Sequence, residues 1–343
     1  MRGVLCLEDG YYLEGELANG LSGLSSTVGR AAGEVIFTTG MTGYEDDLTD
    51  PSHAGQILVF AFPMLGNYGV PLRDNQASRV YARGVVVRDL WKGPVEDDRQ
   101  SLSEFLAQGG CPVLTGVDTR RLALHLRDHG IKKGVIAPVP ESGLTPDLVD
   151  SLVTEASSLD IKGLVEGVGA REVRRIGPLQ SEGDNPHKGR NSQGQGLGVI
   201  VDFGADGNVE ESLLGLGFEL VFVPPTTPTE DILAMSPDFV IFSNGPGDPD
   251  DNEAAIEAAR EILGKVPVYG VGLGHQVMAR AAGANVIRLK HGHHGANYPV
   301  KELATGKMLT TLQNHTYTVD PDNLPSSVVV THININDGSI EGL

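Results

Sequence analysis

The chain is poor in cysteine, poor in cations and without any long apolar run. Of its 343 residues only two are cysteines, Cys6 and Cys111. Two thiols exclude a disulfide scaffold and a four-cysteine zinc site. Lysine and arginine number 26 against 45 aspartates and glutamates, a formal charge of −19. Such a surface repels nucleic acid and anionic membranes, and no local basic patch interrupts it. The longest apolar run, residues 57–65, contains Pro63 and falls far short of the roughly 20 residues that cross a bilayer. Near the N-terminus Glu8 and Asp9 interrupt the sequence before a signal-peptide core could form. The expectation is a soluble, cytoplasmic protein with no nucleic-acid or membrane partner.

What is present suits a globular fold. Hydrophobic residues make up 40% and charged residues 21%, enough to bury a core and to exclude disorder as the main state. At about 150 residues per domain the length predicts two domains. The first 150 or so residues carry short β-like runs at 35–38, 57–62 and 84–87, separated by Gly, Pro and Asp turns. Helical periodicity is seen at 101–108, at 120–129 behind the candidate caps Asp118 and Thr119, and near 145–157. This half reads as mixed α/β.

Residues 177–196, GPLQSEGDNPHKGRNSQGQG, hold almost no apolar side chain. That composition predicts a linker, with one domain over 1–176 and another over 197–343. In the second, apolar runs at 197–203, 220–223, 238–242 and 267–271 alternate with helical stretches at 208–216, 229–235 (capped by Thr229), 253–263 and 275–282. Continuous apolar strands alternating with helices predict a parallel sheet covered on both faces, with ligands at the carboxyl ends of the strands.

Two of those strand ends carry unusual chemistry. Ser243-Asn244-Gly245-Pro246-Gly247-Asp248-Pro249 reads equally as an anion cradle and as an ordinary βα turn. In Gly270-Val271-Gly272-Leu273-Gly274-His275-Gln276 two glycines bracket a central position, the pattern of a nucleophile elbow. A sharp strand-to-helix turn leaves no room for Cβ atoms at the flanks, and the helix N-terminus beyond it supplies amides for an oxyanion. The central residue, Gly272, has no side chain with which to attack. A dinucleotide-binding G-x-G-x-x-G fails, because the third glycine falls on His275 or Val277 and the site is not on the first strand. His291-Gly292-His293-His294 has no cysteine or acidic residue at metal-ligand spacing apart from Glu302 and reads as a loop of hydrogen-bonded histidines. Gln313-Asn314-His315 reads as a polar strand end.

Together these residues resemble the small, glutamine-amidotransferase subunit of carbamoyl-phosphate synthase along essentially the whole chain. In the first half the likeness rests on residues 33–37, on Met41-Thr42-Gly43-Tyr44, on residues 48–52, on Gly66-Asn67-Tyr68-Gly69 and on Val117-Asp118-Thr119-Arg120. In the second it rests on Asp202-Phe203-Gly204-Ala205, residues 243–249, Gly274-His275-Gln276, residues 292–295 and Gln313-Asn314-His315. The resemblance implies a flavodoxin-like class I amidotransferase domain joined to a domain that docks on the large subunit. It implies attack by an elbow cysteine on the glutamine amide, a histidine as base and acid, and a glutamate that orients it. Ammonia then passes to the large subunit, where ATP, Mg and bicarbonate give carbamoyl phosphate for the arginine and pyrimidine pathways. No cofactor or metal is expected on this chain. Glutamine contacts would fall on Ser52, Gly245, Gly247, Leu273, Gln276, Asn314, Thr316 and Tyr317, with Gly245 and Leu273 as oxyanion donors. The family usually has Gly and Phe where this chain has Thr316 and Tyr317.

The chain departs from that pattern in three ways. The nucleophile position holds Gly272, and Cys6 and Cys111 match no catalytic position. No His-Pro-Glu segment, which carries the family's other two triad members, occurs up to Leu343. The second domain is thus expected to be incomplete at its C-terminus, its strand-like residues 337–343 unpaired over an uncovered core. Asp206-Gly207 stands where a basic pair is usual. The expectation is a small subunit defective in glutamine hydrolysis, with a non-catalytic docking or glutamine-binding subunit of an ammonia-dependent synthase as the alternative.

Overall fold

The computed structural model describes residues 1–18, 29–72, 79–177 and 196–343. The chain forms two compact units. The first comprises Met1–Ile161, Lys290–Asn297 and Leu312–Thr316, and the second comprises Lys162–Leu289, Tyr298–Thr311 and Tyr317–Leu343.

In the first unit seven strands close into a barrel, in the order Arg2–Leu7, Lys132–Pro138, Ala31–Thr38, Gln56–Phe60, Gly84–Val86, Val113–Thr115 and Tyr12–Leu17. Parallel and antiparallel ladders both occur within it. Ala31–Thr38 runs parallel to Gln56–Phe60, and Arg2–Leu7 runs antiparallel to Lys132–Pro138. Leu5, Val35, Ile57, Val59, Val86 and Ile136 are buried in one core cluster. Both cysteines are buried. The helices begin where their caps dictate. Ser101 and Glu104 form a reciprocal capping box ahead of Leu102–Gln108, Asp118 caps Thr119–His129, and Thr145 caps Pro146–Ser157.

The second unit is a doubly wound α/β fold. Its five-stranded sheet has the order Arg174–Ile176, Glu219–Val223, Leu197–Val201, Phe239–Phe242 and Val268–Gly270. All neighbours are parallel except the first pair. Helices Gly207–Gly215, Thr229–Ala234, Glu253–Ile262 and Leu273–Ala281 connect and follow the parallel strands. Val199, Val201, Val221, Val240 and Phe242 are fully buried or nearly so, which is why these strands read as unbroken apolar runs. Leu197–Val201 is flanked by the two strands that follow it in the chain, Glu219–Val223 on one side and Phe239–Phe242 on the other, so the order reverses there. The crevice beyond its carboxyl end is the switch point where such folds place ligands.

Several expectations are corrected. The N-terminal segment of the first unit runs to Ile161, short of residue 176. Val165 is buried with Val199 and Phe203, and Arg174–Ile176 adds an antiparallel edge to the second sheet. Of the expected linker, residues 178–195 lie outside the described residues. Lys290–Asn297 and Leu312–Thr316 group with the first unit, held there by bonds such as the Ile131 amide to the Lys290 carbonyl at 2.9 Å. Thr229 is the first helical residue and not the cap. The Pro228 carbonyl accepts the opening hydrogen bonds from Asp231 and Ile232. The histidine run is no loop but part of strand Val286–Glu302, which Gly292 (φ 67°) and Gly295 (φ 146°) bend without ending. The strand Ile340–Gly342 is paired, with Val319 on one side and with His332 and Ile333 on the other, and buried Ile340 packs with Ala279, Ala284 and Val319. The hairpin turn at Gly338 (φ 79°) folds it back onto its neighbour, so it covers apolar surface. Among the described residues no helix is long and apolar enough to cross a membrane.

Candidate active site

In the second unit the strand Val268–Gly270 meets the helix Leu273–Ala281 through a single tight turn. The Val271 amide donates to the Phe242 carbonyl at 3.0 Å, and the Gly274 amide closes back onto the Val271 carbonyl at 2.9 Å. Gly272, between them, has φ 54° and ψ −117°. These are the angles of the first central residue of a type II′ turn, strained for any side chain with a Cβ. The Gln276 amide then donates to the Gly272 carbonyl at 3.2 Å and starts the helix.

The flanking glycines are fixed by packing. A Cβ at Gly270 would stand 2.6 Å from the Gly274 carbonyl oxygen, and one at Gly274 would stand 2.0 Å from the Phe242 carbonyl oxygen. At Gly272 the space is more open, with the nearest atom the Asn244 Cβ at 3.2 Å. The turn therefore has the form of a nucleophile elbow with its central position exposed and bare of side chain. Leu273 is the first helical residue, so its amide points out of the helix start together with the positive end of the dipole.

The neighbouring loops are knitted to this turn. The Ser243 hydroxyl accepts from the Phe203 amide at 2.9 Å and donates to the Asn244 carbonyl at 2.8 Å. The Asp202 carboxylate accepts from the amides of Gly204 at 2.8 Å and Ala205 at 2.7 Å. Asn244 Oδ1 accepts from the Asp206 amide at 3.1 Å. A Cβ at Gly245 would lie 2.6 Å from the Phe203 carbonyl oxygen. Gly245 is thus required by loop packing. Gly247 has φ 94°, a left-handed residue that lets the chain turn toward helix Glu253–Ile262. Asp206 caps helix Gly207–Gly215 by accepting from the Asn208 amide at 3.1 Å. The buried Gln276 donates from Nε2 to the Tyr317 carbonyl at 2.9 Å, tying the elbow helix to the strand Met308–Val319.

In the first unit Ser52 and Asn314 share one carboxylate. Asp50 Oδ1 accepts from the Ser52 amide at 2.8 Å, and Asp50 Oδ2 accepts from Asn314 Nδ2 at 2.8 Å. Asn314 Oδ1 lies 2.8 Å from His294 Nδ1. With Nδ2 committed to a carboxylate that can only accept, Oδ1 must be the acceptor here, so His294 carries its proton on Nδ1. His294 is buried, and desolvation holds its basicity well below the ordinary imidazole range, leaving it neutral. His293 pairs in the same way with Gln313 at 2.7 Å. Thr316 is also buried in this unit. Burial raises the Asp47 carboxyl to about 6, with Asp50, Asp46 and Glu45 adding to the shift and His53 opposing it.

Gly245, Gly247, Gly272, Leu273, Gln276 and Tyr317 therefore fall in the second unit, and Ser52, Asn314 and Thr316 in the first. Burial pushes the Cys6 thiol up to about 11 and the Cys111 thiol up to about 12, so neither is a nucleophile at neutral pH. The sequence reading missed Asp50. Its signal was local, since an aspartate before Pro-Ser is an Asx turn that starts a 3-10 helix.

A doubly wound sheet ending in an elbow of this form defines a class. Residues 199–343 match the description "Glutamine amidotransferase class-I", and residues 5–136 match "Carbamoyl-phosphate synthase small chain, CPSase domain". The carbamoyl phosphate synthase small chain of Symbiobacterium thermophilum is 43% identical over 316 residues, covering 91% of this chain and 83% of that one. The small chain of Caldanaerobacter subterraneus is 38% identical over 345 residues, covering 100% of this chain and 87% of that one. That of Listeria monocytogenes strain F2365 is 40% identical over 342 residues, covering 99% and 87%. The chain belongs to the carbamoyl-phosphate synthase small chain family.

Proposed function

We propose that this chain serves as the small, amidotransferase subunit of a glutamine-dependent carbamoyl-phosphate synthase, and that it does not itself hydrolyse glutamine. The observation that carries the second statement is Gly272. It occupies the strained centre of the elbow, where the family reading places the attacking cysteine, and it offers no nucleophile. In this reading the elbow, Gly245 and Gly247 form the side that meets the glutamine amide, with the Gly245 and Leu273 amides directed at its carbonyl oxygen. The family resemblance assigns further glutamine contacts to Gln276 and Tyr317 in the second unit and to Ser52, Asn314 and Thr316 in the first.

The partner is the large subunit, which handles ATP, Mg and bicarbonate. A complex built on this chain draws its nitrogen from free ammonia. The second reading is a docking and glutamine-binding subunit with no catalytic part. It is favoured by the same glycine, which adopts the elbow angles without strain and so stabilises the turn as its chemistry is lost. Reconstitution with a large subunit tests both. Carbamoyl phosphate formation with ammonium, and none above background with glutamine, is expected. Glutamine-driven synthesis would refute the loss of hydrolysis, and failure to co-purify would refute docking.

A further inference from the structure

We infer that Asp50 is a positioning residue for the glutamine subsite, acting by orienting Asn314 and the Ser52 backbone together. The inference rests on the reading that Ser52 and Asn314 meet glutamine, and it adds a residue to which that reading gives no role.

The geometry is that of a two-sided clamp. One carboxylate oxygen holds the Ser52 amide and the other holds Asn314 Nδ2, both at 2.8 Å. A carboxylate only accepts, so it dictates which end of the Asn314 side chain faces it. Oδ1 is thereby turned to His294, whose proton is fixed on Nδ1. His294 is buried and neutral, so it cannot adapt by taking up a second proton at neutral pH. His53 lies obliquely against His294 with ring centres 6.1 Å apart, and its own Nδ1 is paired with Gln56 at 2.7 Å. The amide of Asn314 is held from both ends, and of the two holders it is Asp50 that also grips the Ser52 backbone. Asp50 is itself stationed by the turn that begins at Pro51, whose ring pre-sets the backbone leaving it.

Replacement by asparagine discriminates this role from simple packing. In Asp50→Asn the side chain keeps its volume and can still accept from the Ser52 amide. Its second group is then an NH2 facing the NH2 of Asn314. Two donors repel, Asn314 turns over, and its Nδ2 now confronts His294 Nδ1. His294 must move its proton to Nε2 to accept.

The test is calorimetric titration of the full chain with glutamine, joined to nitrogen NMR of the His294 ring. Asp50→Asn is expected to weaken glutamine binding at least about tenfold and to shift His294 to the Nε2–H tautomer. Asp50→Glu keeps an acceptor-only group and is expected to retain the Nδ1–H tautomer and to bind within about threefold of the unaltered chain. Unchanged affinity in Asp50→Asn overturns the proposal. If that variant does not fold, an Nε2–H tautomer of His294 in the unaltered chain overturns it. Absence of glutamine binding by the unaltered chain removes the glutamine reading instead. The tautomer change in Asp50→Asn then decides whether Asp50 orients Asn314.

Discussion

Gly274 lies directly against the Phe242 carbonyl: a Cβ added at 274 would stand 2.0 Å from that oxygen. The Gly274 amide also donates to the Ser243 carbonyl at 2.9 Å, so the helix start is bonded to the strand end that it touches. Gly274→Ala must push the two backbones apart. We expect it to destabilise the fold by about 3 kcal/mol or more, at the upper end for overpacking. Urea unfolding measures this, and a loss under about 0.5 kcal/mol would show that the contact is not tight.

Gly272→Cys has a different outcome. The added Cβ meets Asn244 at 3.2 Å, which a small shift relieves, but φ 54° is strained for any L side chain. The expected cost is about 1–2 kcal/mol. The new thiol is exposed at a helix N-terminus, which lowers its pKa. In the native protein Ellman's reagent is expected to find no reactive thiol in the unaltered chain and about one in the variant. Rapid reaction of Cys6 or Cys111 in the unaltered chain would contradict their burial.

Asp47 makes the fold favour acid. Its folded pKa is raised to about 6 by burial, above the reference value of 3.8. Between those values the folded state binds more protons, so this contribution to stability is present below about pH 4 and is lost as pH rises through about 6. Asp47→Asn removes the penalty. The variant is expected to gain on the unaltered chain from about pH 4 to 6 and to be more stable by about 3 kcal/mol at about pH 7. A constant difference across that range would refute the shift.

His294 works in the opposite sense. Its folded pKa lies well below 6.5, so the unfolded chain takes up a proton that the folded one refuses. This contribution to stability is complete above about pH 6.5 and is lost as pH falls. Subtracting the profile of His294→Gln from that of the unaltered chain is expected to leave a slope approaching about 1.4 kcal/mol per pH unit below about pH 6. A flat difference would mean that His294 is protonated in the fold.

Much of this architecture was legible in the sequence. Three of the parallel strands announce themselves because burial on both faces selects nearly unbroken apolar runs, whereas the edge strand Val268–Gly270 leaves Tyr269 exposed. The helix starts at Ser101, Asp118 and Thr145 follow from cap chemistry, which is local. The elbow was legible because backbone crowding at Gly270 and Gly274 excludes everything but glycine. What stayed hidden depends on contacts distant in the chain. Asp50 and Asn314 are 264 residues apart, and no local pattern announces their bond. The barrel closure of the first unit pairs Tyr12–Leu17 with Val113–Thr115, again beyond any sequence window. The histidine run read as a loop because its glycines break periodicity, while in the fold they only bend a strand.

The loss of hydrolysis is tested most directly by measuring glutamate released from glutamine by the purified chain, alone and with a large subunit bound. With Gly272 at the elbow the account predicts release no faster than in buffer, and no change in Gly272→Ala. Turnover above that background would contradict it and would show that another group attacks the amide.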